Sequence, residues 1–191
     1  MRWVLTLAAG VLALVGSGCS FLSSLEREYT SNRDLIQAAS ECAGFTVDPS
    51  LFELTGLDLR EDSLTFQLRG VRHPGDHAWV VRFSEKSSEQ NPLAVSDVYS
   101  LLSLIGEGRT GFRIVEEADK DVLGERAKYV RYVFESPIHD GDGKALQGHG
   151  IVASVRLPGA SGPLVQHMKL DNHGDRDDVQ WDDLAPFLPR S

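Results

Sequence analysis

The chain has 191 residues, 41% hydrophobic and 25% charged, proportions that exclude a disordered, collagen-like or multi-span membrane protein and predict one domain. Its 28 acidic and 19 basic residues leave a net charge of -9, and the pI near 5.1 argues against a nucleic-acid surface, which would need a basic stripe. The acidity by itself names no substrate.

The N-terminus is the most informative segment. Met1-Arg2 supplies a positive end, and Trp3 to Val15 is an apolar run interrupted only by Thr6 and Gly10. Spanning a bilayer takes ~20 apolar residues, whereas the core of a secretory signal takes only ~7–15, so the run predicts a signal peptide. Val15-Gly16-Ser17-Gly18 then leads through small residues into Cys19.

These residues resemble the lipobox of bacterial lipoproteins, departing from it at Gly16, where Leu is commoner. The resemblance implies cleavage after residue 18 and acylation of Cys19, with residues 19–31 as a lipidated tether and 32–191 as one globular domain. It also implies a protein held on the membrane through its lipid, since several acyl chains at ~0.8 kcal/mol per buried CH₂ give lasting attachment. Ser20 after the cysteine resembles the signal for the outer membrane, facing the periplasm, in Gram-negative cells. The alternative is an ordinary secreted protein in which Cys19 is buried or disulfide-bonded, with Cys42 the sole other cysteine available.

Beyond the tether, the spacing of Leu35-Ile36, Ala38-Ala39 and Cys42-Ala43 predicts a helix over 32–43, stopped by Gly44. Leu57-Asp58-Leu59 and Leu64-Thr65-Phe66-Gln67-Leu68 alternate with period two and predict a hairpin, and Trp79-Val80-Val81-Arg82-Phe83 a further strand. His73-Pro74-Gly75-Asp76-His77 reads as a turn. Asn91-Pro92 opens the best helix of the chain, running to Gly106 with Ala94, Val98, Leu101, Leu102 and Ile105 on its apolar face. Four strands follow, over 112–115, 127–135, 148–157 and 164–170, joined most simply as a meander. A short helix over 178–185 places Trp181, Leu184 and Leu188 on one side, limited by Pro186.

This order predicts an α+β fold, a mostly antiparallel sheet sandwiched by helices. The central helix, Leu123-Gly124 with Ala127 and Tyr129 entering a long strand, two more strands, and the ending Phe187-Leu188-Pro189-Arg190-Ser191 resemble the PsbP fold over about residues 45–191. Proteins of that fold mostly bind other proteins, but no binding residue of theirs is matched here.

Candidate chemistry is sparse. Gly106-Glu107-Gly108-Arg109-Thr110-Gly111 has dinucleotide-fingerprint spacing but follows a helix and precedes a strand, the reverse of what that site needs. His139, Asp140, Asp142 and His149 gather around one hairpin and are candidate metal ligands, although Ile151 stands where an EF-hand needs a closing Glu. His73 and His77 flank a Pro-Gly turn without further ligands at zinc spacing. His167 falls on the more polar side of its strand and reads as a sheet-surface residue. The acidic run of Asp171, Asp175, Asp177, Asp178, Asp182 and Asp183 is suited to charging the start of the last helix, or to a cationic partner.

Two functions remain. The first is a non-enzymatic lipoprotein without a cofactor, whose domain binds another envelope protein or supports an assembly. The second is a periplasmic hydrolase or metal-dependent enzyme in which His139, Asp140 and His149 converge in a pocket.

Overall fold

The computed structural model describes residues 47–59, 63–84, 97–158 and 163–189. Cys19, Cys42, the signal segment, the helix expected over 32–43 and the Asn91-Pro92 start lie outside them.

Alternating apolar residues build one seven-stranded sheet. Its strands are β1 (Phe52–Leu59), β2 (Ser63–Gly70), β3 (Asp76–Ser84), β4 (Arg113–Val122), β5 (Glu125–His139), β6 (Ala145–Leu157) and β7 (Leu164–Asn172). They lie side by side in the order β1-β2-β3-β7-β6-β5-β4, every neighbouring pair antiparallel. The expected meander is therefore present as β4 to β7, and the first hairpin continues into β3, whose outer side pairs with β7. The β4–β5 connection is the two-residue turn Leu123-Gly124, with φ of 56° and 79°, the left-handed pair that matches strand twist in a tight hairpin.

Successive side chains of a strand leave opposite faces, so each face acquires its own core. On one face Phe52, Phe66, Leu68, Val80, Ile151, Ala153, Met168 and Leu170 pack with Val179, Leu184 and Phe187. The last two belong to a 3-10 helix, Trp181–Phe187. Gln166 Nε2 donates to Phe187 O at 2.8 Å, tying that helix to the sheet. On the other face Val130, Tyr132, Phe134 and Val152 are covered by Val98, Leu101, Leu102 and Ile105 of α1 (Val98–Gly106). Each fully buried Leu, Ile or Phe contributes roughly 1.5–3 kcal/mol. Asp97 caps α1, its Oδ1 accepting from Tyr99 N and Ser100 N at 2.9 Å each.

Two expectations are overturned. The α+β sandwich gives way to a sheet-dominated fold: among the described residues one nine-residue α-helix lies on one face and a seven-residue 3-10 helix on the other. The strands absorb more of the chain than alternation predicted, β4 extending through 116–122 and β5 to His139, while Pro186 and the flanking aspartates leave only a 3-10 turn at the end. His167, expected on the sheet surface, is fully buried, because the face on which it stands is itself covered.

Candidate binding site

The helix-bearing face holds a row of large and charged side chains set by register. Tyr132 on β5 pairs with Gly150 on β6, Gly150 with Asp171 on β7, and Asp171 with His77 on β3. Gly150 is required: a Cβ there would lie 2.3 Å from the Tyr132 ring and 2.6 Å from Asp171 Oδ1. Across that gap the Tyr132 hydroxyl donates to Asp171 Oδ1. One step along, Gly148 makes the same room for Phe134, whose ring would be 2.5 Å from an added Cβ.

Asp171 gathers three donors. Besides Tyr132, Lys169 Nζ and Arg109 Nη2 both reach Oδ2, the latter at 2.7 Å. The Asp171 side chain is only 2% exposed. Burial by itself would raise its pKa, but the charges of Lys169 and Arg109 and their hydrogen bonds outweigh this and hold the carboxyl at about 2. Burial also lowers the Lys169 ammonium and pushes the Tyr132 phenol well above its ordinary range.

Arg109 arrives from the α1–β4 loop, the segment with dinucleotide-fingerprint spacing. Its glycines serve that loop: Gly108 and Gly111 adopt φ of 74° and 64°, and the loop is tied to β5 by Glu135 N donating to Thr110 O at 2.9 Å. The guanidinium lies over the Phe134 ring, 4.5 Å from its centroid, and 5.9 Å from that of Tyr132. Beside it His173 packs edge-on against Phe134 and His77. Its burial lowers the imidazole pKa. Arg109, Thr110, Phe134, Ser136, His139 and His173 line a cleft of about 370 Å³, which Glu135 also borders.

The hairpin residues do not converge. Asp140 Oδ1 accepts from Asp142 N and Lys144 N at 3.0 and 2.9 Å, so its carboxylate closes the turn. His139 Nδ1 lies 3.1 Å from Pro137 O and borders the cleft. His149 stands elsewhere, with Nε2 against Gln147 Nε2 and Nδ1 3.8 Å from Asp178 Oδ1. Ala145, the partner of His139 in the ladder, is four residues from His149, about 13 Å of strand. His77 is a β3 residue and His73 a turn residue whose carbonyl accepts from Asp76 N. Among the described residues no group of three or more His, Cys, Asp or Glu is placed to hold a metal ion.

The acidic run divides by position. Asp171 is a strand residue. Asp175 accepts from Gly75 N, and Asp178 grips Arg131, whose Nε donates to Val179 O at 2.9 Å. Asp182 and Asp183 stand in the first turn of the last helix as the sequence suggests, Asp183 accepting from Gln180 N at 2.7 Å. Sequence reasoning missed Arg109, Lys169, Asp171 and Tyr132 as a group; the signal available was the opposite charges two residues apart on one side of a strand.

No protein-family model matches the chain, and no curated protein does. Solved structures similar to it include LpqN, involved in cell envelope biogenesis of Mycobacterium tuberculosis, at 11% identity, 67% of this chain, 75% of that one and a TM-score of 0.34. A cyanobacterial PsbP from Synechocystis is similar at 11% identity over 72% of this chain and 87% of its own, with a TM-score of 0.39. A protein of unknown function from Pseudomonas aeruginosa reaches 14% identity, 70% and 86% coverage and a TM-score of 0.32. These are likenesses of outline, and no function is carried across them.

Proposed function

We propose that this chain is a lipid-anchored protein of the bacterial envelope whose folded domain acts by binding another envelope protein, not by catalysis. The observation that carries the reading is the apolar run Trp3 to Val15 followed by Gly16-Ser17-Gly18-Cys19, a signal core too short to span and a small-residue approach to a cysteine. Among the described residues no helix is long and apolar enough to cross a membrane; the proposed attachment is through the lipid on Cys19. Ser20 directs the proposal to the outer membrane, with the domain facing the periplasm. Of the side chains that the enzyme alternative would use, Asp140 closes its turn and His149 lies against Gln147, away from His139.

The test is fatty-acid labelling of cells expressing the chain and its Cys19→Ala variant. Labelling and detergent-dependent partition should both vanish in the variant; labelling that persists with the same partition overturns the anchor. Crosslinking in intact cells should capture one envelope protein on the wild type. Its absence across crosslinkers of different reach overturns the binding role.

A further inference from the structure

We infer that the cleft between the α1–β4 loop and the ends of β5 and β7 binds a small molecule through one oxyanion, a carboxylate or a phosphate, received by Arg109 and His173. The inference goes beyond the protein-binding reading above and does not rest on it. The first support is a charge imbalance. Arg109 and Lys169 share the single carboxylate of Asp171, and Tyr132, the third group on it, is neutral, so this buried cluster carries one surplus positive charge. A partly buried charge without its full counter-ion is costly; Glu135 on the same cleft is exposed, and an anion arriving beside Arg109 completes the balance.

The second support is independent of charge. Arg109 Nη1 and His173 Nδ1 are both buried with no hydrogen-bond partner, and the two residues line the same cleft. A buried polar atom left unpaired costs roughly 1–3 kcal/mol, so two beside one cavity mark a place where partners are missing. The Arg109 side chain keeps 23% of its exposure, so part of it faces the cleft although Nη1 itself is covered. It is also fixed in advance, with Nη2 on Asp171 and its plane over Phe134, so little side-chain freedom is lost when a ligand arrives.

Size and lining select the class. A volume of about 370 Å³ lies at the small end of ligand sites, and Thr110 adds a hydroxyl to the two nitrogens. Glu135, which also borders the cleft, opposes a ligand of high negative charge and favours a single oxyanion.

The experiment is calorimetric titration of the full chain, purified in a mild detergent, with sodium acetate and with inorganic phosphate, sodium chloride at equal ionic strength serving as control. Saturable heat with acetate assigns a carboxylate ligand, and with phosphate a phosphoryl ligand. Arg109→Lys, which keeps a charge for Asp171 but loses the fork, should weaken binding about tenfold or more. His139→Glu, at an exposed position, should weaken it about threefold or more by repulsion while the melting temperature stays unchanged. No saturable heat with either anion, or heat equal in both variants and wild type, overturns the site. Cys19 labelling and crosslinking read other parts of the molecule, so a failed titration leaves the anchored, protein-binding role standing.

Discussion

β7 and β4 are both rich in polar and charged residues, yet they do opposite things. In β7 Gln166, His167, Lys169, Asp171 and Asn172 are all buried, because β7 sits between β3 and β6 and both of its faces are covered. In β4 Glu117, Asp119, Lys120 and Asp121 are exposed, because among the described residues the strand is an edge and pairs only with β5. Charges on an edge deter pairing with another chain, as does the bulge between Ile114 and Glu116. Strand order, not composition, therefore decides where a charge has energetic consequence. A carboxylate that faces solvent in β4 is replaceable; the one that faces two cations in β7 is not.

The sharpest test of that contrast is Asp171→Asn. It leaves Arg109 and Lys169 buried without a counter-charge and should cost about 3–5 kcal/mol in chemical denaturation. Lys169→Met should lie within about 1 kcal/mol of wild type, since it removes the surplus cation and leaves the Arg109–Asp171 pair intact. A larger loss from Lys169→Met than from Asp171→Asn would invert the picture of a cluster with one positive charge too many.

A smaller effect, read against pH, concerns the same carboxylate. Asp171 is held at about 2 in the folded state against 3.8 as an ordinary aspartate. Its contribution is fully present above 3.8 and is lost as pH falls through about 2, because the unfolded chain takes up the proton first. The stability gap between wild type and Asp171→Asn should narrow by on the order of 2 kcal/mol between about pH 5 and pH 2. Asp76 has the opposite sign, its pKa raised by burial, so only the difference between the two proteins isolates Asp171. A gap that stays constant with pH would mean that the carboxylate is not the group that titrates.

The smallest effect is expected on β4 and its neighbour. Arg126 pairs with Asp119, but its side chain is 80% exposed, and Arg126→Ala should leave the melting temperature unchanged. A shift comparable with that of Asp171→Asn would erase the distinction between edge and interior.

The sequence exposed the strands well where one face was apolar. Phe66, Leu68, Val80 and Val81 alternate or run as buried strands do, and the α1 face of Val98, Leu101, Leu102 and Ile105 is buried as its spacing predicted. β4 was seen only over 112–115, since Glu116 to Asp121 offers no apolar alternation at an exposed edge. The buried cluster was harder to see for a different reason. Periodicity sorts Val165, His167, Lys169 and Asp171 onto one side of β7 but says nothing of what covers that side, and Tyr132, Arg109 and Trp79, which lie against Asp171 and Lys169, come from distant parts of the chain. Arg109 lay in a glycine-rich loop whose spacing suggested the wrong ligand, and no local pattern links it to a carboxylate 62 residues later.

The glycines opposite the two aromatic rings have a consequence for ancestry. Tyr132 faces Gly150 and Phe134 faces Gly148 across the β5–β6 ladder, so bulk on one strand is matched by its absence on the other. Any lineage that enlarges residue 148 or 150 must shrink its partner in the same period, or the ring is driven off the sheet. Compensating volume at these two pairs, Tyr-x-Phe on one strand against Gly-x-Gly on the next, is the pattern that this packing would impose on chains related to this one. It offers a means of recognising kin of this chain among sequences that otherwise share little with it.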